Sequence, residues 1–103
     1  MTDRISAGSP EAIPVGGIKA LAVNNRRVLV CRLEDGFYAV ADECSHDYAP
    51  ISTGRLKGDE IECPRHGARF DIRTGHAKAP PAVVGIETYK VTVENGEVFV
   101  EVD

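Results

Sequence analysis

The chain has 103 residues, 12 Lys+Arg against 16 Asp+Glu for a formal net charge of −4, and a hydrophobic share of 43%. That length suits one domain, residues 1–103, with a modest core that a bound metal can usefully reinforce. The acidic balance excludes the basic footprint of a nucleic-acid binder, no apolar run approaches the roughly 18 residues of a membrane span, and Met1 to Pro10 lacks the apolar stretch of a secretory leader, so a soluble, cytoplasmic protein is expected.

Met1 to Gly17 contains Ser9-Pro10, Pro14 and Gly16-Gly17, which predicts loose first residues and at most a short edge strand over Ala12 to Val15. Ile18 to Val23 alternates weakly, Asn24-Asn25 signals a turn, and Arg27 to Leu33 is rich in Val and Leu, together a hairpin. Asp35-Gly36 predicts a type I′ turn, whose two central residues need positive φ. Phe37 to Ala41 follows as a strand and delivers the chain to Cys44. Arg55-Leu56, Glu60 to Glu62 and Arg69 to Ile72 read as short strands, with Gly58-Asp59 and Thr74-Gly75 as turns and Gly54 as a further turn marker. Ala79 to Pro81 is an irregular crossing that no central strand could contain. Tyr89, Val91 and Val93, then Val98, Val100 and Val102, alternate with polar or outward residues on either side of Asn95-Gly96, a closing hairpin with one buried face. Many short strands and no convincing helical period predict an all-β, small antiparallel sandwich or barrel.

The chemistry lies in Cys44-Ser45-His46, then sixteen residues, then Cys63-Pro64-Arg65-His66. Two short pairs, each with one sulfur and one imidazole, are what a site built from two facing loops needs. Of the three cysteines and three histidines, only Cys31 and His76 are left over. Cys31 lies mid-strand and reads as a small buried hydrophobe; His76 reads as a solvated turn residue. Three cysteines cannot all pair, and two stand beside histidines, so ligation explains them better than a disulfide framework. Zinc is the competing occupant, since Cys2His2 sites use similar short pairs. Zinc sites more often pair like with like.

The pattern C-x-H, a gap of this length, then C-x-x-H, followed by Gly67-Ala68-Arg69-Phe70-Asp71, Thr74-Gly75 and Pro80-Pro81, resembles the Rieske iron-sulfur family over roughly residues 15 to 102. The resemblance implies a Rieske-type fold with an inserted two-loop cluster-binding part at about residues 42–82. It implies one 2Fe-2S cluster, with Cys44 and Cys63 on the inner iron and His46 and His66 on the outer. Gly67 would let the backbone pass close to the core, Pro64 would stiffen its loop, and Pro80-Pro81 would cover the cluster. Histidine ligation removes negative charge from one iron and lifts the potential to about −150 to +300 mV, against about −400 mV for all-cysteine plant-type clusters.

Departures from the respiratory members matter. Where those carry a loop-bracing disulfide this chain has Ala49 and Arg65, and where they place serine and tyrosine hydroxyls against sulfur it has Ala68 and Phe70. Fewer hydrogen bonds to sulfur imply a potential near the low end of the range. Arg65 at the cluster rim is expected to help define partner choice, and Tyr48 to cover the cluster or pack. No nucleophile, general base or substrate cleft is visible, so the chain is expected to be an electron carrier rather than an enzyme. The resemblance implies a ferredoxin component that takes electrons from a NAD(P)H-dependent flavoprotein reductase and passes them to a terminal aromatic-ring-hydroxylating oxygenase, docking transiently as a monomer at the His46/His66 face. The alternative is an accessory small subunit of an NADH-dependent nitrite-reductase-like complex.

Overall fold

The computed structural model describes residues 3–23, 25–45, 49–64, 67–80 and 84–102. Its strands are β1 (Asp3–Gly8), β2 (Ile18–Val23), β3 (Arg26–Leu33), β4 (Gly36–Ala41), β5 (Arg55–Lys57), β6 (Glu60–Glu62), β7 (Arg69–Asp71), β8 (Ala77–Ala79), β9 (Thr88–Glu94) and β10 (Glu97–Val102). They form a six-stranded sheet in the order β1-β10-β9-β4-β3-β2 and a four-stranded sheet in the order β5-β6-β7-β8, every pairing antiparallel. The sequence expectation of an all-β antiparallel fold is met. The only helical element among the described residues is a 3-10 turn at Pro10–Ala12, and no helix there is long and apolar enough to cross a membrane.

β3 explains its own composition. Val28, Leu29, Val30 and Cys31 are all 0% exposed, because alternate side chains enter two different cores. Val28 and Val30 join Ala7, Ala39, Val98, Val100 and Val102 inside the curve of the large sheet. Leu29, Cys31 and Leu33 join Val40, Ile51, Ile61, Phe70 and Ile72, which tie the large sheet to the small one. A strand covered on both faces reads as a continuous apolar run. Each fully buried Val, Leu, Ile or Phe side chain contributes about 1.5–3 kcal/mol.

Three expectations are corrected. The first residues of the described chain are not loose: Asp3 to Ser6 pair with Val102 back to Phe99, and Gly8 with Val98. Nor is there a strand at Ala12 to Val15. Ser9 instead caps the 3-10 turn by accepting the Glu11 N–H at 3.3 Å, with Pro10 at its first position, and Ile13 is buried. Arg32 holds this segment down, donating from Nη1 to the carbonyls of Pro10 and Ile13 at 3.0 Å each, with its guanidinium 4.9 Å from the Phe37 ring centre. The seam between the sheet edges β1 and β2 is bridged by Lys19 Nζ, which donates to the Ala7 carbonyl at 2.8 Å.

The third correction concerns turn chemistry. Asn95 and Gly96 take φ values of 51° and 73° between the paired Glu94 and Glu97, as a type I′ turn requires. At Asp35-Gly36 the register pairs Leu33 with Gly36, so the two-residue turn is Glu34-Asp35, and only Gly36 has positive φ, 148°. Glycine serves the strand start there, not the turn centre. Gly58, at φ 63°, is the first of the two residues between Lys57 and Glu60, the place a type II′ turn reserves for glycine.

The four-stranded sheet is inserted between β4 and β9. These two are hydrogen-bonded neighbours, Ala39 with Tyr89 and Val40 with Thr88, so the chain leaves and rejoins the large sheet at adjoining points.

Candidate metal centre

Both cysteines of the paired motif stand where a strand ends. β4 runs into Asp42-Glu43-Cys44, and β6 runs directly into Cys63. Each is 1% exposed, neither is in a disulfide, and both belong to the apolar cluster between the sheets.

The two loops close in the same way. Cys44 donates its backbone N–H to the Ala49 carbonyl at 2.8 Å, and Cys63 donates its own to the Ala68 carbonyl at 2.7 Å. In both loops the acceptor is an alanine five residues on. The second loop is tightened further by Gly67, whose N–H donates to the Cys63 carbonyl at 3.1 Å. Gly67 takes φ 77°, and a Cβ there would meet no described atom within 4 Å. Its requirement in this structure is therefore the left-handed backbone.

Three further contacts fix the loops. Asp42, 3% exposed and the one buried charged or polar residue among those described, accepts on Oδ1 the N–H groups of Ile51 at 2.8 Å and Ser52 at 2.7 Å. Gly54 lies against the strand that leads to Cys63, where a Cβ would sit 1.8 Å from the Glu62 carbonyl oxygen. Ser45 Oγ donates to the Val84 carbonyl, which ties the first loop to the segment beyond Pro80. That segment is pinned at its base: Ile86 N–H donates to Gly75 O at 2.8 Å, and a Cβ on Gly75 would sit 2.1 Å from Ile86 O.

His46, Tyr48, Arg65, His66 and Pro81 lie outside the described residues, and among those described no three His, Cys, Asp or Glu side chains converge as a metal site. The structure therefore places Cys44 and Cys63 in one apolar cluster at the ends of two matched loops. Reduced, buried sulfurs with backbone closing tightly around them are donor chemistry for a soft metal such as iron in an iron-sulfur core, and the residues fit that group. Ala68 and Phe70 are both fully buried in the same cluster and carry no hydroxyl.

The left-over residues behave as the sequence suggests. Cys31 is fully buried, and that burial, helped by the charge of Asp42, pushes its thiol up to about 12. It is inert at ordinary pH. His76 is exposed; its N–H donates to Thr74 Oγ1 at 3.2 Å within the turn. Asp42 and Gly54 are what sequence reasoning missed as parts of the site. Asp42 had no local signal at all, and Gly54 was legible only as a turn.

Beside the first loop lies a cavity of about 630 Å³ lined by residues that include Arg26, Arg27, Glu43, Ser45, Val84 and Tyr89. Val84 is 65% exposed at its edge.

Comparison with known proteins agrees with the geometry. The family model described as the Rieske [2Fe-2S] domain matches residues 3–90. The ferredoxin component of the naphthalene 1,2-dioxygenase/salicylate 5-hydroxylase systems of Ralstonia sp. is 37% identical over 99 residues, covering 96% of this chain and 95% of that protein. Among solved structures, the ferredoxin of carbazole 1,9a-dioxygenase from Nocardioides aromaticivorans IC177 superimposes with a TM-score of 0.89 at 34% identity, over 94% of this chain and 95% of that one. A ferredoxin-type match within a complex of reduced oxygenase and oxidized ferredoxin in carbazole 1,9a-dioxygenase gives 0.89 at 36% identity, over 94% and 91%.

Proposed function

The chain belongs to the Rieske [2Fe-2S] domain family, and from that premise we propose that it is the ferredoxin component of an aromatic-ring-hydroxylating oxygenase system. It carries one Rieske-type 2Fe-2S cluster, which supplies a one-electron couple. Cys44 and Cys63 hold the inner iron, His46 and His66 the outer. The observation that carries this reading is the pair of matched loops, each closing on a buried cysteine, in a chain that aligns with ferredoxin components over nearly its whole length.

The protein does no bond chemistry of its own. Its residues exclude water from the sulfur side, where Ile51, Ile61, Ala68, Phe70 and Ile72 are all buried, and leave the histidine side to meet partners. The electron arrives from a NAD(P)H-dependent flavoprotein reductase and leaves to a terminal oxygenase, in transient complexes made by a monomer in the cytoplasm. An accessory structural subunit has no need of four ligands, so the motif favours the carrier.

Purified protein is expected to contain two irons and two acid-labile sulfides per chain, to be reduced by such a reductase with NADH or NADPH, and to give a rhombic EPR signal when reduced. His46→Ala and His66→Ala are expected to abolish that signal. Colourless protein with zinc and no labile sulfide would refute the reading.

A further inference from the structure

Asp42 is a buried charged side chain in an apolar place, and it is not one of the four proposed ligands. Its position is fixed from behind, since its own N–H donates to the Arg27 carbonyl of β3 at 2.9 Å and that of Ala41 to Glu87 at 2.9 Å. From this anchored point one carboxylate oxygen reaches across the first ligand loop and accepts two successive backbone N–H groups, Ile51 at 2.8 Å and Ser52 at 2.7 Å. Both donors lie past the far end of the loop that begins at Cys44 and is closed at Ala49.

A carboxylate shared by two amides makes charge-assisted bonds, roughly twice as strong as neutral ones. Left without it, the buried Ile51 N–H would be unsatisfied and the half-buried Ser52 N–H would lose its acceptor. Ile51 is itself 0% exposed and packs in the cluster that holds both cysteines, so releasing its backbone loosens the wall behind the sulfurs. Cys44 sits between two fixed points, Asp42 before it and Ile51-Ser52 after it.

We propose that Asp42 is a positioning residue for the metal centre: its carboxylate clamps the Ile51 and Ser52 amides and thereby holds the first ligand loop in its metal-binding shape. This rests on the cluster reading for its purpose, and on the hydrogen bonds alone for its mechanism.

The test compares Asp42→Ala and Asp42→Asn in the cluster-loaded full chain. Hydrogen exchange read by mass spectrometry on peptides spanning residues 49–53 reports the clamp, and decay of the visible absorbance under a ferrous chelator reports retention. Asp42→Ala is expected to speed both exchange and cluster loss by about tenfold or more, the scale of a lost buried acceptor. Peptides from β2 and β3 should be unchanged. Asn keeps an oxygen acceptor, so Asp42→Asn should stay within about threefold of the parent. If Asp42→Ala does not fold, Asp42→Glu replaces it: the oxygen is displaced by one methylene, and cluster loss should exceed that of Asp42→Asn.

Cluster lifetime in Asp42→Ala equal to the parent, or an Asn variant as labile as the Ala or Glu variant, overturns the proposal. Failure of the cluster reading looks different, because the parent itself would then contain no iron or labile sulfide while the exchange comparison stayed readable.

Discussion

The backbone of Gly54 passes so close to Glu62 that a single methyl group on the glycine would lie 1.8 Å from the Glu62 carbonyl oxygen. Glu62 immediately precedes Cys63, and Gly54 follows the loop that begins at Cys44, so this contact joins the two halves of the proposed metal centre through main chain alone. Neither backbone can yield without moving a cysteine or opening the β5-β6 pair. Gly54→Ala is expected to destabilise the fold by on the order of 3 kcal/mol, the upper range for overpacking a tight site. A thermal midpoint lowered by about 10 °C or more would register it; a midpoint within about 2 °C of the parent would show that the contact relaxes freely.

The lack of a hydroxyl at two described positions, Ala68 and Phe70, sets the expected potential. Ala68 and Phe70 are buried in the cysteine cluster, and neither can hydrogen-bond to sulfur and stabilise the reduced state. The midpoint is expected near the lower end of the range of about −150 to +300 mV known for such centres. Phe70→Tyr, which places a hydroxyl at the buried ring, should raise it. Voltammetry giving the parent a midpoint above about +100 mV, in that same range, would contradict the argument.

Cys31 confers a pH dependence of stability. Burial, then the nearby charge of Asp42, lifts its folded pKa to about 12, against about 8.5 for a free thiol. The fold keeps the proton that the unfolded chain loses. The contribution is therefore complete below about pH 8.5 and is lost progressively as pH rises toward about 12. Denaturant unfolding at a series of alkaline pH values should show a steeper decline for the parent than for Cys31→Val. The native thiol should also resist alkylation at pH 8 and react once the chain is unfolded.

Arg73 fastens the small sheet to the large one at the surface. Its Nη1 meets Asp59 at 2.8 Å, its Nη2 meets Asp35 at 3.1 Å, and its guanidinium lies 5.4 Å from the ring centre of Tyr38, whose hydroxyl donates to Asp35 at 3.1 Å. Asp59 belongs to the β5-β6 turn and Asp35 to the β3-β4 turn. Exposed pairs of this kind are individually weak and screened by salt, so Arg73→Ala should lower the thermal midpoint only by roughly 3 °C. The difference should shrink in about 1 M salt, where the screening length is about 3 Å. Arg73→Lys should not restore the parent value, since an ammonium cannot grip two carboxylates through a planar fork. An effect independent of salt would point to packing over Tyr38 instead.

What the sequence disclosed follows from how local each signal is. The two Cys/His pairs could be proposed from the sequence because a ligand pair is complete within three or four residues, and Asn95-Gly96 was legible because a type I′ turn is specified by its two central residues. Asp35-Gly36 has the same appearance, yet register with β3 moves the turn one residue upstream. β1 could not be foreseen because its partner, β10, stands at the other end of the chain. Asp42 and Gly54 were opaque as site residues for the same reason. What each one does depends on a backbone group eight to ten positions away, brought near only in the folded chain.

Because β4 and β9 are side-by-side partners, the metal-holding unit is grafted onto its base through a single doorway. Lengthening a loop or exchanging residues at its far end leaves the ladder of the underlying sheet untouched. Evolution can thus reshape the surface presented to a new redox partner while inheriting the scaffold unchanged.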